Sequence, residues 1–340
     1  DEFMAYSTDA SGIKGQPSAI VWPTSAEQLQ KLVQLALRNK YTLVPRGAGT
    51  GLAGGCVPQN AVVVDMSKMN QIDTINVREK KVTVQPGVII SDLNETLDGY
   101  DLFFPVIPAS YTTCQIGGII ATNAVGTRAL RFGKTCDWVQ EVKIIDGGGK
   151  LIKVRPSDIC GTEGILGLIV EATLKLTEHI PETSLTIKKF NQVDDVMKAV
   201  DEFRDEAIAI EFIDKISAEI MGLENAYYLF CEFEGEKGEI TDPKRIEELW
   251  KLRDGLGPLL SAKRYYTMED PQIPLEKMND FIRWLTNNKI PAFGHIAVGI
   301  IHPRFRKEQE KLIKKMFEKV TDLGWSVSGE HGIGLAKKQY

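Results

Sequence analysis

The sequence predicts an α+β protein built from two domains, on three observations. A first half rich in β-branched, strand-like runs is punctuated by glycine-dense loops. A second style, in which helix-like and strand-like segments alternate, begins near Thr177. The stretch 177–184, with Pro181 and several polar residues, reads as the joint between them. At 340 residues the chain is long enough to bury a core in each half.

The first clear element follows Pro23, where Thr24 and Glu27 stand three apart as a capping box. The helix it opens carries Leu29, Leu32, Val33, Ala36 and Leu37 at the i, i+3, i+4, i+7, i+8 spacing of a core-facing stripe. Residues 41–44 are strand-like and lead into Pro45-Arg46-Gly47-Ala48-Gly49-Thr50-Gly51-Leu52-Ala53-Gly54-Gly55, with five glycines in nine positions. Glycine lets a backbone take φ > 0 and approach a ligand closely, so successive N–H groups can converge on an anion. No Gly-Lys-Ser/Thr ending follows, which excludes a P-loop. Gly47, Gly49 and, with stretched spacing, Gly54 match a dinucleotide fingerprint, but residues 56–60 break any helix and a strand resumes at 61–64. The loop therefore runs strand to strand; a glycine-rich hairpin without a ligand is the alternative.

Residues 61–65, 81–85, 141–145, 151–154 and 168–176 complete the strands of the first half. In the second, Val193, Val196, Met197, Val200 and Phe203 form a helical stripe, followed by strand-like 207–213 and 226–233. Charged helices at 242–253 and 275–286 precede the strand-like run 292–301, a last helix at 305–323 and Trp325-Ser326-Val327. The expected arrangement is one sheet with helices on one face.

Composition narrows the function. Hydrophobic content of 43%, charged content of 26% and a net charge of −5 give no global basic surface, which argues against nucleic acid and toward a small-molecule ligand. The five cysteines, Cys56, Cys114, Cys136, Cys160 and Cys231, include no CxxC pair, which suits buried thiols in a reducing compartment and leaves no iron–sulfur ligand set. The acidic start carries no signal-peptide pattern, and the longest apolar stretch, 116–125, is too short and glycine-rich to span a bilayer. The expectation is a cytoplasmic protein without a membrane span, with peripheral attachment to the inner membrane face left open.

Three further glycine-dense loops share the first half: Pro108-Ala109-Ser110 leading to 116–126, Arg131-Phe132-Gly133, and Gly161-Thr162-Glu163-Gly164-Ile165-Leu166-Gly167. With the loop at 45–55, these residues resemble the FAD-binding domain of the vanillyl-alcohol oxidase superfamily, specifically its D-2-hydroxyacid dehydrogenase branch. The resemblance covers nearly the whole chain in order. It implies a two-subdomain FAD-binding domain over 1–177, a smaller ferredoxin-like α+β substrate (cap) domain over 178–327, and a segment 328–340 returning toward the first domain. By resemblance Pro45, Arg46, Gly47, Gly49, Thr50 and Gly51 would wrap the FAD pyrophosphate. Pro108, Gly117, Gly118, Asn123 and Gly126 match the stretch along the ribityl chain and flavin ring, and Glu163, Gly167 and Ile169 the segment near ribose and adenine. Some relatives attach flavin through a first-half histidine; none precedes His179 here, so FAD is expected to be non-covalent.

The other three histidines are His295, His302 and His331, the last within Gly329-Glu330-His331-Gly332. Imidazole and carboxylate suit a borderline divalent metal, although spacing alone leaves a chance grouping open. The resemblance implies that His295, His302 and Glu330 bind a divalent metal, Zn or Mn/Fe, and that His331 is the catalytic base. The family's central G-D-G-N is here Ala297-Val298-Gly299-Ile300. A regular strand would point residues seven apart to opposite faces, so Gly299 or the turn at Pro303 must break the alternation if both histidines meet one metal. Arg253 matches a family arginine that pairs with the substrate carboxylate, a role suited to its planar fork. A lysine of some relatives aligns with Met268, which tilts the substrate toward a small monocarboxylate such as D-lactate or glycolate.

The resemblance thus implies oxidation of a small 2-hydroxyacid substrate, with proton transfer to His331 and hydride transfer to flavin. The segment between 176 and 253 looks abbreviated for the family, which implies a trimmed substrate domain; the end at Tyr340 comes before the family's usual closing helix, so either the chain is cut there or it relies on a partner, an iron–sulfur or other electron-transfer subunit. Two rival readings are a flavin-bearing electron-transfer subunit without substrate chemistry and a metal-free alcohol oxidase of the same superfamily; Glu330-His331 and the paired histidines argue against both.

Overall fold

The computed structural model describes residues 2–180 and 182–340; Asp1, and Pro181 of the expected joint, lie outside the described residues. The chain divides into two compact units. One comprises Asp1–Gly126, Lys134–His179 and His331–Gln339, the other Thr127–Gly133, Ile180–Glu330 and Tyr340.

The first unit opens with a parallel sheet of β1 (Gln16–Val21), β2 (Leu43–Arg46) and β3 (Gln59–Asp65), in the order β1-β3-β2. The helix Ala26–Asn39 connects β1 to β2 and starts one residue later than the capping box suggests. Ser25 is its N-cap, accepting from the Gln28 N–H, while the Gln28 side chain accepts from the Thr24 N–H. Leu29, Val33 and Ala36 are buried against the sheets, but Leu37 is 55% exposed, so the stripe is narrower than its spacing implies. From β2 to β3 the chain crosses by the glycine loop alone, without a helix.

An antiparallel sheet forms the other half of this unit. Its strands are β4 (Ile72–Asn76), β5 (Lys81–Val84), β7 (Val139–Asp146), β8 (Leu151–Val154) and β9 (Gly167–Lys175), in the order β4-β5-β9-β7-β8; β6 (Leu102–Phe103) pairs separately with β10 (Thr177–Glu178). Helices Ile90–Asp98 and Ile116–Thr122 fill its core with Leu93, Leu97, Ile116, Ile119 and Ile120. The second helix corrects the reading of 116–126 as a loop. Gly117 and Gly118 sit within it, and a Cβ on Gly117 would lie 2.7 Å from the Pro86 side chain, so glycine permits close helix packing.

The second unit holds an antiparallel sheet of β11 (Thr183–Phe190), β12 (Ala207–Ile213), β13 (Tyr227–Glu234), β14 (Thr267–Met268), β15 (Ala292–Gly294) and β16 (His302–Phe305), in the order β11-β13-β12-β15-β16-β14. The helix Val193–Phe203 joins β11 to β12, which flank β13, the split β-α-β of a ferredoxin-like arrangement. Helices cover both faces of this sheet, not one. Tyr227, Leu229, Cys231 and Phe233 of β13 pack with helices Val193–Phe203, Met278–Asn287 and Glu310–Asp322, whereas Tyr228 and Phe230 pack with Pro243–Asp254 and Leu256–Ala262. The cause is visible in β12, every residue of which is buried; a strand covered on both sides reads as a continuous apolar run.

The run 292–301 is not one strand. After β15 the chain makes a 3-10 turn, Ile296–Val298, and reverses at Gly299 with φ 77°, before β16 returns antiparallel with His302 opposite Phe293. The last helix accordingly begins at Glu310, because Phe305 still belongs to β16. The excursion Thr127–Gly133 joins the second unit through Arg128, which donates to both oxygens of buried Glu232 at 2.7 and 2.9 Å.

Asp214 caps the helix Lys215–Ile220 by accepting the Ser217 N–H at 2.8 Å, and its other oxygen has no partner among the described residues. Burial pushes its carboxyl up to about 6. The folded chain therefore holds this proton more tightly than the unfolded one, and the associated stability is lost as pH rises through that value. Asp214→Asn keeps the cap without the charge. In thermal melts it should be more stable than the native chain by roughly 1–3 kcal/mol at about pH 8, with the gain shrinking toward about pH 5.

Candidate active site

In the first unit the glycine loop rests on a platform of its own side chains. Arg46 on β2 is 8% exposed and does not reach outward: it lies over the Tyr6 ring at 5.3 Å and donates to the Ala5 carbonyl at 3.3 Å. Gly49 has φ 71°, and a Cβ there would strike the Arg46 guanidinium. The Ala10 N–H donates to the Gly49 carbonyl at 3.0 Å and ties the loop down from the other side. Among the described residues, none accepts a hydrogen bond from the backbone N–H groups of 48–56, and most of these residues are half-buried or buried. A run of backbone donors without acceptors of their own forms a cradle for an anion, which fits the pyrophosphate of a dinucleotide.

The remaining cofactor candidates divide by role. Pro45 pairs with Val64 in the parallel sheet, and Thr50 and Gly51 continue the cradle. Gly118 faces open space, with nothing within 4 Å of a Cβ, whereas a Cβ on Gly126 would meet the Ile107 carbonyl at 2.5 Å and one on Gly167 the Ile145 carbonyl at 2.5 Å. Pro108 is half-buried, and Ile169 is buried opposite Ile144 in the sheet. Asn123 ends the helix Ile116–Thr122 with φ 51° and accepts the Cys136 N–H at 2.9 Å. Glu163 carries a role that its spacing does not reveal. Its carboxylate accepts the N–H groups of Ile333 at 2.6 Å and Gly334 at 2.8 Å, holding the segment that follows His331, and Ala336 donates to the Ala53 carbonyl at 3.0 Å.

In the second unit the reversal at Gly299 brings the two histidines to one place. A Cβ on Gly299 would sit 2.5 Å from the Ile273 carbonyl, so this left-handed turn admits only glycine without strain. The rings of His295 and His302 stand edge to face at 5.4 Å and 87°. Glu330 completes the group: its Oε1 lies 3.2 Å from His302 Nε2 and 4.0 Å from His295 Nε2, and ligand atoms of all three fall within 4.8 Å of one another. Two imidazoles and one carboxylate, converging and mostly buried, fit a divalent cation with open coordination positions. The Glu330 segment is anchored by buried Asp270, whose Oδ2 accepts from the Ser328 hydroxyl at 2.9 Å and the N–H groups of Gly329 at 3.0 Å and Glu330 at 2.8 Å. The boundary between the units falls between Glu330 and His331.

Three residues of this region carry no sequence signal. Glu211, on β12, is fully buried, with Oε1 2.5 Å from His295 Nδ1 and Oε2 paired with Arg253. Burial alone would raise its carboxyl, but Arg253 and then His295 hold it below the usual carboxylate range; burial likewise disfavours charged His295, and Glu211 outweighs it to raise the imidazole. Arg253 is 5% exposed, with one terminal nitrogen on Glu211 and the other 3.1 Å from Asp254, leaving Nε buried and without a partner among the described residues. Asp270 is the second such residue. The third is Arg304, two positions beyond His302 and directly across from Met268 in the β14–β16 pair. It is buried, donates to the Ser261 hydroxyl and the Gly257 and Tyr265 carbonyls, and pairs with no carboxylate among the described residues; burial lowers its pKa to about 10.

Comparison with known proteins agrees with both halves. The FAD binding domain family matches residues 17–155, and the C-terminal domain of FAD linked oxidases matches residues 231–340. D-2-hydroxyglutarate dehydrogenase of Stutzerimonas stutzeri is 30% identical, over 100% of this chain and 88% of its own length. Glycolate oxidase subunit GlcD of Bacillus subtilis is 29% identical over 99% and 85%, and D-lactate dehydrogenase of Anaerostipes hadrus 26% over 96% and 83%. A solved structure of alkyldihydroxyacetonephosphate synthase shares the fold at a TM-score of 0.68 and 18% identity, over 93% of this chain and 72% of that one. No helix among the described residues is long and apolar enough to cross a membrane. With its glycine cradle, its ferredoxin-like second unit and these relatives, the chain belongs to the vanillyl-alcohol oxidase type of FAD-linked oxidases, within the branch of FAD-dependent oxidoreductases that act on the CH–OH group of 2-hydroxyacids.

Proposed function

We propose that the protein oxidises a small D-2-hydroxyacid, D-lactate or glycolate, to the 2-oxoacid with the help of a divalent cation. The observation that carries this reading is the convergence of His295, His302 and Glu330 in one unit, with His331 next in sequence. When bound, FAD supplies the hydride acceptor and the cation supplies Lewis acidity toward the substrate hydroxyl and carboxylate. His331 takes the hydroxyl proton at a ring nitrogen, a task that imidazole suits as a general base. Arg253 offers the N–H at Nε, which has no partner among the described residues, to the substrate carboxylate. The glycine cradle and Gly118 hold the dinucleotide, and Glu163 steadies the segment that carries His331. Electrons leave through a partner; the Bacillus subtilis relative is itself named as a subunit.

A second substrate reading has one observation in its favour. Arg304 is a buried cation with no carboxylate partner among the described residues, on the strand of His302 and opposite Met268, which suits a second substrate carboxylate. Comparing kcat/KM for D-lactate and D-2-hydroxyglutarate separates the readings: the monocarboxylate reading expects D-lactate to be preferred and Arg304→Met to affect both substrates alike. A preference for the diacid that Arg304→Met abolishes would select the second.

Anaerobic bleaching of the flavin by D-lactate tests the mechanism. Chelation of the cation should slow bleaching at least tenfold, and re-addition should restore it. His331→Ala should keep the flavin but lose about 100-fold or more in reduction rate. Bleaching that survives thorough metal removal would remove the cation from the mechanism.

A further inference from the structure

We infer that Glu211 is a positioning residue that fixes the metal-facing nitrogen of His295 with one oxygen and orients Arg253 with the other. The inference rests on the reading that His295, His302 and Glu330 hold a divalent cation. Glu211 is the one charged residue of β12, a strand buried along its whole length, and is itself 0% exposed. A carboxylate in such surroundings is costly unless both oxygens are satisfied. Both are: Oε1 lies 2.5 Å from His295 Nδ1, and Oε2 accepts from Arg253.

The pairing determines the tautomer. An ionised carboxylate only accepts, so Nδ1 of His295 carries the proton and neutral His295 has its lone pair on Nε2. Nε2 is the nitrogen that faces Glu330 at 4.0 Å. Carboxylates held behind metal-binding histidines in this way fix ring orientation and raise ligand basicity. Arg253 closes the arrangement, lying over the Phe293 ring at 5.4 Å, the residue paired with His302 in the sheet. One buried carboxylate therefore links the first histidine of the metal set to the cation that faces the substrate. An ion pair with Arg253 alone would need no contact to His295.

The test uses the flavoprotein stripped of metal and titrated with Mn2+, with the loss of the free-ion EPR signal as readout. Glu211→Gln should weaken Mn2+ binding about 10- to 100-fold. The double variant E211Q/R253M, which removes both buried charges together, should show the same weakening and guards against misfolding from an unpaired Arg253. In a His295→Ala background, E211Q should add no further loss, because the ring it orients is gone. Affinity within about twofold of native in E211Q, recovery of native affinity in E211Q/R253M, or an equal further loss in the His295→Ala background would each overturn the role. Failure of the native protein to bind Mn2+ would instead overturn the cation reading on which the inference stands.

Discussion

The arrangement of the second unit depends on a single chain reversal. His295 and His302 are seven positions apart in a run whose apolar character reads as one strand, and on one strand they would face opposite sides of the sheet. The 3-10 turn and the left-handed Gly299 divide that run into β15 and β16, which pair with each other and turn both rings toward Glu330. Close approach of the Ile273 carbonyl leaves no room for a side chain at the turn. The family's motif is altered around this point, and the glycine that it retains is the residue on which the geometry rests.

Around that turn the protein places charge where burial opposes it. Glu211 and Glu232 lie on adjacent central strands at 0% and 2% exposure, each matched by an arginine from outside the sheet, Arg253 and Arg128. Buried pairs of this kind contribute little net stability compared with apolar residues of the same size, because desolvation offsets most of the attraction. Their value lies in direction. Glu211 orients a histidine, and Glu232 fastens the excursion Thr127–Gly133 to the second unit.

Local patterns carried much of the architecture. β-branched runs marked strands such as Leu151–Val154 and Ala207–Ile213, and helical spacing marked Val193–Phe203, because these signals depend on neighbours in sequence. Where tertiary packing decides, the sequence was less informative. The glycines of Ile116–Thr122 hid a helix that needs one of them, Gly117, for its contact with Pro86, and the charged helix Pro243–Asp254 gave no sign that it covers a second face of the sheet. In the site, the two histidines and Glu330 were legible as residue types. Glu211, Asp270 and Arg304 were not: Glu211 meets His295 across 84 residues and Asp270 meets Glu330 across 60, and no local periodicity encodes such a pairing.

On the proposed function, this reversal assembles a two-histidine, one-carboxylate divalent cation site. X-ray absorption at the zinc edge of zinc-loaded protein addresses it directly. The expected result is a first shell of nitrogen and oxygen at about 2.0–2.2 Å with the outer-shell scattering of two imidazoles, reduced to one by His302→Ala. A first shell without imidazole scattering, or one unchanged by that substitution, would contradict it.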